Sequence, residues 1–285
     1  MKYAFIKDQR DRYSIKAQCS VFGVSRRGYY SWLKRPTSAT TLKNKHLLKE
    51  IKLIFHEYRE VYGAPRIHKE LVESGFLCSL NRVARLMRQA NIVPKTVRKF
   101  RVTTDSRNSK KPAGNLLNRN FTTSRNNEKW VADVTYIPTR EGWLYLAAVL
   151  DLYSRKIVGW SMGNKLNSEL SSQALSDAIE RRGAVDGLIH HSDQGREYYA
   201  SDYQQLLKNN GILCSMSRKG NCWDNAVMES FFHSLKVEQV NHDDYKTRLE
   251  AKSQIFDYIE IFYNRKRRHS SIGYLSPVDY ETESL

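Results

Sequence analysis

The sequence has few cysteines, no long apolar run and a deficit of acidic residues. Its four cysteines include no C-x-x-C pair, so the ligand spacing typical of zinc sites is missing and no disulfide framework is expected. No apolar stretch reaches the roughly 18 residues needed to span a bilayer, and residues 1–16 contain no apolar signal segment. We therefore expect a cytoplasmic protein with no zinc ion and no membrane anchor.

The charge balance is strongly positive. Lysine and arginine total 47 against 30 aspartates and glutamates, which gives a formal net charge of +17. The basic residues run along the whole chain instead of filling one tail, which favours a polyanionic partner, and double-stranded DNA is the partner we expect. The alternative is a protein that is basic without binding nucleic acid.

Composition and hydrophobic periodicity divide the chain into five segments. A helix-turn-helix-like N-terminal segment and a second helical, helix-turn-helix-like DNA-binding domain precede a basic linker. The linker leads to an α/β catalytic segment and then to a C-terminal helix with a basic tail. In chain order the segments are residues 1–40, 41–100, 101–124, 125–240 and 241–285.

Residues 12–33 predict a helix, a tight turn and a second helix. Gly23 marks the turn, and Ser25 is a suitable N-cap for the second helix. This pattern is typical of a helix-turn-helix. Its arginines and tyrosines either contact DNA or form an ordinary surface around a core of Tyr30 and Trp32, and both interpretations stay open.

Three further helices are predicted at about 44–59, 65–74 and 80–90. In the last of them the apolar residues fall on one side, at about 100° per residue. The arginines fall on the other side, where they either contact DNA or form a solvated charged face. These arginines are Arg82, Arg85 and Arg88.

The catalytic segment alternates β-rich apolar runs with amphipathic helices in the order β-β-β-α-β-α-β-α. Strands are predicted at 130–138, 143–152, 156–162, 187–193 and 212–217, and helices at 168–182, at 201–210 and from about 225. Three antiparallel strands followed by two crossovers give a mixed five-stranded sheet flanked by helices. Such sheets place ligands at strand ends.

Three acidic residues stand where this arrangement would bring them together. Asp133 lies in the first strand, Asp193 ends the fourth, and Glu229 lies in the first turns of the last helix, with 35 residues between the last two. Their hard carboxylate oxygens favour Mg²⁺, with Mn²⁺ as a substitute. Two such ions about 3.5–4 Å apart can drive phosphodiester chemistry.

Basic residues accompany these acids on the last helix and in the loop before it. His233 and Lys236 share the helix face of Glu229, where they can contact phosphates, although a simple surface histidine explains His233 equally well. Arg218 and Lys219 belong to a loop that we expect to close over DNA.

A run of five basic residues follows a further helix predicted at 247–264. The run can neutralise DNA phosphates, and the alternative is a solvated helix end whose cations complement the helix dipole. We favour DNA contact because the run follows the catalytic segment directly. Its members are Arg265, Lys266, Arg267, Arg268 and His269.

Two other acids near the trio have structural explanations. Asp151 lies in the connection between the second and third strands, so we expect a turn residue that caps a strand and not a metal ligand. Asp224 precedes the last helix, where an acid suits the positive end of the helix dipole.

Four motifs together resemble the second-reading-frame protein of IS-three-family insertion sequences, a DDE transposase with a retroviral-integrase-like core. They are WVADVTYIPTREGWLYLAAVLDLYSRKIVGW, HHSDQGREY, NCWDNAVMESFFHSLKVE and YNRKRRHSSIGYLSP. The resemblance covers residues 125–280 with high specificity and reaches the helices between 43 and 91 less specifically.

The resemblance implies an RNase H-like fold with Asp133, Asp193 and Glu229 as its catalytic, metal-binding triad. It further implies Mg²⁺-dependent nicking at terminal inverted repeats, followed by attack of the freed 3′-hydroxyl on another phosphodiester. A homo-oligomer on DNA is expected, because joining two ends needs two active sites or one used repeatedly. Many members also need an upstream-frame protein joined by ribosomal frameshifting, and this chain has no leucine-zipper heptad.

Two other functions stay open beside this one. The first is a DNA-binding regulator derived from a transposase that has lost catalysis, and the second is a plain RNase H-like nuclease. Three converging carboxylates argue against the regulator, since without a metal they only repel phosphate. The long basic flanks argue against the plain nuclease.

Overall fold

The computed structural model describes residues 1–95, 113–183, 186–218 and 222–283. These residues form two compact units, 1–52 and 53–285. Of the linker predicted at 101–124, residues 101–112 lie outside the described residues. Lys219, in the loop that we expect to contact DNA, also lies outside them.

The N-terminal unit is a small helical bundle. It contains α1 (Lys2–Asp8), α2 (Ile15–Val21), α3 (Arg26–Lys34) and the first part of α4 (Ala39–Glu57). Ser14 and Ser25 cap α2 and α3 by accepting hydrogen bonds from the main-chain N–H groups three residues on, at 3.3 and 3.0 Å. Gly23, at φ +61°, makes the turn between them. The helix, tight turn and second helix predicted within residues 12–33 are thus present.

The core of this unit differs from the one expected in one residue. Ile6, Cys19 and Tyr29 are buried, with Trp32 packed against them, whereas Tyr30 is exposed. Because residues on a helix share a face at spacings of three or four, Tyr29 and Trp32 lie together and Tyr30 points away.

Two helices of the second unit pack as a pair. They are α5 (Ala64–Glu73) and α6 (Leu80–Gln89), both within one residue of their predicted bounds. Ser79 caps α6 by accepting from the N–H of Arg82 at 3.3 Å. The predicted apolar side of α6 is buried, and its buried residues are Val83, Leu86 and Met87.

A mixed five-stranded sheet forms the centre of the second unit. Its strands are β1 (Lys129–Thr139), β2 (Gly142–Asp151), β3 (Ile157–Gly163), β4 (Ile189–Ser192) and β5 (Leu213–Met216). The order is β3-β2-β1-β4-β5. The first three strands pair antiparallel, and β1, β4 and β5 pair parallel. The predicted strand order along the chain and the mixed sheet are confirmed.

Two helices cover one face of this sheet, namely α7 (Ser168–Arg182) and α8 (Ser201–Asn209). Trp130 and Ala132 of β1 are buried in the core between this face and the two helices. Helix α7 lies so close to β3 that a Cβ on Gly159 would come within 2.3 Å of the carbonyl oxygen of Ala174. A larger residue at 159 would therefore push α7 off the sheet.

The C-terminal elements begin with α9 (Ala226–Glu238), which packs against β1 and follows a 3₁₀ turn at Cys222–Asn225. After it come α10 (Arg248–Phe256), a π-helical continuation at Asp257–Tyr263, and α11 (Pro277–Glu283). The helix predicted at 247–264 is thus present, but its second half is wound more widely. None of the helices in the described ranges is long and apolar enough to cross a membrane.

The described end of the predicted linker packs on the sheet. Leu117 is buried, and the N–H groups of Leu116 and Leu117 donate to Ser215 Oγ at 2.9 and 3.2 Å. The Lys129 ammonium donates to the carbonyl oxygens of Asn120 and Thr122. Residues 113–124 are therefore an ordered approach to β1 and not a free connection.

Candidate active site

The strand register brings Asp133 and Asp193 together. Val131 of β1 pairs with His191 of the parallel strand β4. Two residues later along each chain segment stand Asp133, within β1, and Asp193, directly after the last residue of β4. Alternate residues of a strand share a face, and neighbouring strands lie about 4.8 Å apart. Both carboxylates therefore project from neighbouring positions on the face opposite Trp130 and Ala132.

Main-chain hydrogen bonds orient the two carboxylates. Asp133 Oδ1 accepts from the N–H of Val134 at 2.8 Å, and Asp193 Oδ1 accepts from the N–H of Gly195 at 2.8 Å. A Cβ added to Gly195 would lie 2.7 Å from Glu197 Oε1 and 2.9 Å from Asp193 Oδ1. Glycine is required there because two carboxylates close around its Cα.

Helix α9 carries Glu229 towards the same face. The side-chain amide of Asn225, just before the helix, donates to the carbonyl oxygen of Ala132 at 3.2 Å and so ties the start of α9 to β1 beside Asp133. The apolar side of the helix is buried through Met228, Phe231, Phe232 and Leu235. Glu229 lies in the first turn on the exposed side, where a negative charge complements the helix dipole.

The carboxylates raise one another's proton affinity. Burial raises the pKa of Asp133 well above its usual range, and the charges of Asp193, Glu197 and Glu229 raise it further against the hydrogen bond from Val134. Burial also raises the pKa of Asp193 and that of Glu229. Like charges gathered in a partly dry site in this way favour a bound cation.

Glu197 is a fourth carboxylate of this site, and sequence reasoning missed it. It lies in a 3₁₀ turn at Arg196–Tyr199, four residues after Asp193. Burial and then the charge of Asp193 raise its pKa. The signal was present in the sequence, since the HHSDQGREYY motif contains a glutamate that we did not single out.

The donor set fits a hard divalent cation. Carboxylate oxygens are the ligands that Mg²⁺ and Mn²⁺ prefer, and the raised pKa of Asp133 reflects negative charge that a cation would relieve. Within the described ranges, no group of three histidine, cysteine, aspartate or glutamate side chains is already gathered closely enough to hold a metal ion. Asp133 and Asp193 are fixed by the sheet, so Glu229 is the ligand that would move in.

Lys236 extends the site along α9. It lies seven residues after Glu229, almost two helical turns on the same face, and its ammonium is 4.7 Å from the centre of the Tyr136 ring. Burial lowers its pKa, while the charge of Asp133 raises it. His233 lies between them on the same face and is exposed. The predicted sharing of one face by Glu229, His233 and Lys236 is confirmed.

The chain was compared with protein families and with curated proteins. Two family models described as "Integrase core domain" match residues 123–222 and 229–285, and one described as "HTH-like domain" matches 42–100. The chain is 41% identical over 287 residues, all of both chains, to "Transposase InsF for insertion sequence IS3A" of Escherichia coli K12. It belongs to the transposase family of IS3-type insertion sequences.

A second relative also comes from an insertion element. This transposase is 46% identical over 262 residues to the "Insertion element IS600 uncharacterized 31 kDa protein" of Shigella sonnei, covering 92% of this chain and 96% of the other. Among solved structures, the BIV integrase catalytic core matches at TM-score 0.42 and 19% identity, over 55% of this chain and 95% of that one. The HTLV-2 integrase core in complex with magnesium matches at 0.41 and 14%, over 55% and 97%.

Family membership and the strand order together confirm the predicted fold class. The transposase has an α/β, RNase H-like integrase core, a mixed five-stranded sheet flanked by helices, with helix-turn-helix-like segments in front of it.

The C-terminal basic run of the transposase divides into two parts. Arg265 and Lys266 are exposed, as a DNA contact requires, but Arg267, Arg268 and His269 are turned inward. Arg267 binds Glu238 through hydrogen bonds of 2.6–3.0 Å. These inward positions argue against the DNA contacts expected at Arg267, Arg268 and His269. The two guanidinium groups and the imidazole ring bind other residues of the fold instead.

Arg268 and His269 show how this inward part holds the second unit together. The Arg268 guanidinium forms ion pairs with Glu70 and Glu73 of α5. His269 is buried against the Tyr263 ring, and burial together with the charge of Arg267 lowers its pKa well below the usual range. The histidine is therefore neutral at pH 7 and adds no charge for DNA.

The remaining predicted DNA contacts have mixed surroundings. Arg85 and Arg88 of α6 are exposed and Arg82 is half-buried. Arg218 forms an ion pair with the buried Asp224, which also binds Arg119 at 2.9 Å. The bonds from Arg218 lower the pKa of Asp224, so this acid stays ionised as the anchor of two arginines at the start of α9.

Asp151 has the structural role expected for it. Its Oδ1 accepts from the N–H of Tyr153 and its Oδ2 from the N–H of Asn127, at 2.9 and 2.8 Å. Both carboxylate oxygens thus cap main-chain groups at the end of β2, and the interpretation of Asp151 as a turn residue is confirmed.

Proposed function

We propose that this chain cuts and joins DNA, with Asp133, Asp193 and Glu229 as the catalytic carboxylates of a DDE transposase. The observation that supports this most strongly is the strand register, in which Val131 pairs with His191, two residues before Asp133 within β1 and before Asp193 directly after β4. The raised pKa of Asp133 adds support, since its causes include both of the other carboxylates.

The reaction consists of two in-line displacements at phosphorus. In the first, water attacks a phosphodiester at a terminal inverted repeat, and the 3′-oxygen leaves as a hydroxyl. In the second, that 3′-hydroxyl attacks another phosphodiester and displaces a second DNA oxygen. A pair of Mg²⁺ ions, or Mn²⁺, would activate the attacking oxygen and stabilise the leaving one when bound.

The protein's own groups position the ions and the DNA. Asp133 and Asp193 provide fixed oxygens because the sheet and their main-chain hydrogen bonds orient them. Glu229 closes the ligand set from α9. Lys236, held near Asp133 and over Tyr136, would contact a phosphate next to the cleaved bond, with His233 one turn closer to Glu229.

The DNA substrate would also contact more distant basic residues. We assign backbone contacts to the three arginines of α6, of which Arg82 is half-buried, to the loop before α9 and to the exposed part of the C-terminal run. These residues are Arg82, Arg85, Arg88, Arg218, Lys219, Arg265 and Lys266. A homo-oligomer on DNA, an upstream-frame protein supplied by frameshift fusion and a nucleoid-associated cytoplasmic location complete the proposal.

A strand-transfer assay tests this function. Labelled terminal-repeat DNA is incubated with Mg²⁺ and with either the wild type or Glu229→Gln. We expect joined product from the wild type alone, with equal DNA binding by both proteins. Binding without joining by either one would favour the catalytically silent regulator or a missing upstream partner. A frameshift fusion in the same assay separates these two outcomes.

A further inference from the structure

A cavity on another face of α9 is lined by arginine and serine. It has a volume of about 420 Å³, within the usual range for ligand pockets. Ser230 and Ser234 are about 100–140° around the helix from Glu229, so the cavity is separate from the carboxylates. Its other polar lining residues are Arg66, Arg155, Tyr263, Arg267, His269, Ser270 and Ser271.

The charges around this cavity do not cancel. Arg267 is neutralised by Glu238, and Arg66 reaches the same carboxylate only at 3.9 Å. The Arg155 guanidinium makes no hydrogen bond or ion pair with any residue that the structure describes. Arg155 also feels the charge of the buried Asp151, whose oxygens already accept two main-chain hydrogen bonds. Three guanidinium groups thus have two nearby carboxylates, Glu238 and Asp151, which leaves a surplus of positive charge in a half-buried space.

The backbone holds Arg155 in an unfavourable conformation. It lies in the turn between β2 and β3 at φ +64°, in the left-handed region that costs a non-glycine residue about 1 kcal/mol or more. Hydrogen bonds of 2.9 Å from Arg155 N to Asp151 O and from Asp151 N to Lys156 O fix this turn. Glycine or asparagine would be less strained there, so the strained arginine points to a use for its side chain.

The rest of the lining suits a phosphate group. Ala226 and Val227 bring the first turn of α9 to the cavity, and a helix N-terminus favours anions. The hydroxyls of Ser230, Ser270 and Ser271 are exposed at the cavity and can donate to phosphate oxygens. Guanidinium groups bind phosphate through two parallel hydrogen bonds.

We propose that this cavity binds one phosphate group of a DNA strand, held by Arg155 and Arg66 and by the serine hydroxyls. The cavity's preference for phosphate follows from its own lining, and the DNA source rests on the proposed function. Because Glu229 and this cavity lie on the same helix, a phosphate here would fix the direction in which a strand leaves the carboxylates.

The experiment uses the full chain in EDTA, so that no DNA is cut. Titration calorimetry measures the binding of inorganic phosphate. Fluorescence anisotropy measures the binding of a DNA duplex at salt concentrations between about 50 and 300 mM. Over this range the logarithm of the DNA affinity falls with the logarithm of the salt concentration by about 0.9 for each phosphate contact. The variant is Arg155→Gln. Arg125→Gln, which loses the same charge from an exposed loop residue, is the matched control.

We expect Arg155→Gln to bind phosphate at least about ten-fold more weakly and to lower the salt slope for DNA by about 0.9, with Arg125→Gln close to wild type. Arg155→Lys keeps the positive charge but loses the planar guanidinium that donates two parallel hydrogen bonds. It should therefore keep the salt slope for DNA binding and lose part of the affinity for inorganic phosphate. Thermal unfolding checks that each variant is folded.

Two results would overturn the proposal in different ways. If Arg155→Gln matches Arg125→Gln in both titrations, the cavity binds no phosphate. If only inorganic phosphate binding weakens, the source is free phosphate and the DNA contact is wrong. Failure of the strand-transfer assay would remove the proposed function without changing the phosphate titration, so the two failures are distinguishable.

Discussion

The two ends of α9 carry two charged clusters that differ in one respect. At the C-terminal end, Glu238 is buried, binds Arg267 and accepts a 2.8 Å hydrogen bond from Tyr258. At the N-terminal end, Glu229 adds a charge of the same sign to Asp133 and Asp193. The first cluster contains its own counter-charge and stabilises the fold, whereas the second gathers three carboxylates near one ammonium, that of Lys236, and carries excess negative charge that a cation can neutralise.

The largest effect on stability is expected when Glu238, in the cluster that contains its own counter-charge, loses its charge. In Glu238→Gln the Arg267 guanidinium stays buried without its carboxylate, and removing one partner of a buried pair costs about 3–5 kcal/mol. Urea unfolding measures the loss. The control is Asp257→Asn, whose ion pair with Arg59 is partly exposed and should cost less than about 1 kcal/mol. Equal losses would show that burial does not separate the two pairs.

A substitution in the carboxylate cluster at the N-terminal end of α9 should instead raise the free energy of unfolding. Asp133→Asn removes one of several like charges, so it should raise the free energy of unfolding in EDTA by about 1 kcal/mol, the size usual for relieving a charge conflict. Mg²⁺ should then stabilise the wild type but not the variant. A variant less stable than the wild type in EDTA would mean that the Lys236 ammonium compensates the Asp133 charge fully.

The pH dependence of the free energy of unfolding tests the same charge conflict, with a smaller expected effect whose direction is fixed by the pKa shifts. The folded-state pKa values of Asp133, Asp193 and Glu229 are raised. Their contribution to stability is full below the ordinary carboxyl pKa of about 4 and is lost as pH rises through the raised values. The stability advantage of Asp133→Asn in EDTA should therefore grow between pH 4 and pH 7.

Asp224 changes the stability with pH in the direction opposite to Asp133. The Asp133→Asn variant keeps Asp224 and therefore serves as the reference for the wild type. Its pKa is lowered by the bonds from Arg218, so its contribution is present above the ordinary carboxyl pKa and is lost in acid. Subtracting the two unfolding curves cancels this background. A difference that stays constant with pH would contradict a raised pKa at Asp133.

The smallest effect on stability is expected at Arg88, an exposed arginine of α6. Arg88→Gln should change the free energy of unfolding by less than about 0.5 kcal/mol. If it contacts a phosphate, DNA affinity should fall about five-fold at 0.15 M salt and the salt slope by about 0.9. An unchanged slope would place this arginine among the solvated surface charges.

The parts of the molecule that sequence predicts well are those fixed by local pattern. Strand alternation and helical periodicity placed Asp133, Asp193 and Glu229 on the correct elements, and β1 and β3 are each within one residue of expectation. The register between parallel strands then follows from burying the apolar faces. This was enough to expect the carboxylates on one side of the sheet.

The parts that sequence missed depend on partners far along the chain. Arg268 has the same local surroundings as Arg265, but Glu70 and Glu73 lie 198 and 195 residues away. Nothing in the run RKRRH shows which of its members meet those acids. Arg155 was overlooked for a similar reason, because its importance comes from Arg66 and α9 and not from its own turn.

The short strand β4 makes the distance between Asp133 and Asp193 insensitive to insertions in some places of the chain and sensitive to them in others. His190 binds the Tyr203 hydroxyl on one face of β4, and His191 binds Ser215 and Ser217 on the other. An inserted residue within β4 would exchange these faces and turn Asp193 away from Asp133. Residues inserted at the turn between α8 and β5 would leave every carboxylate in place, so the chain can change length there without altering the candidate site.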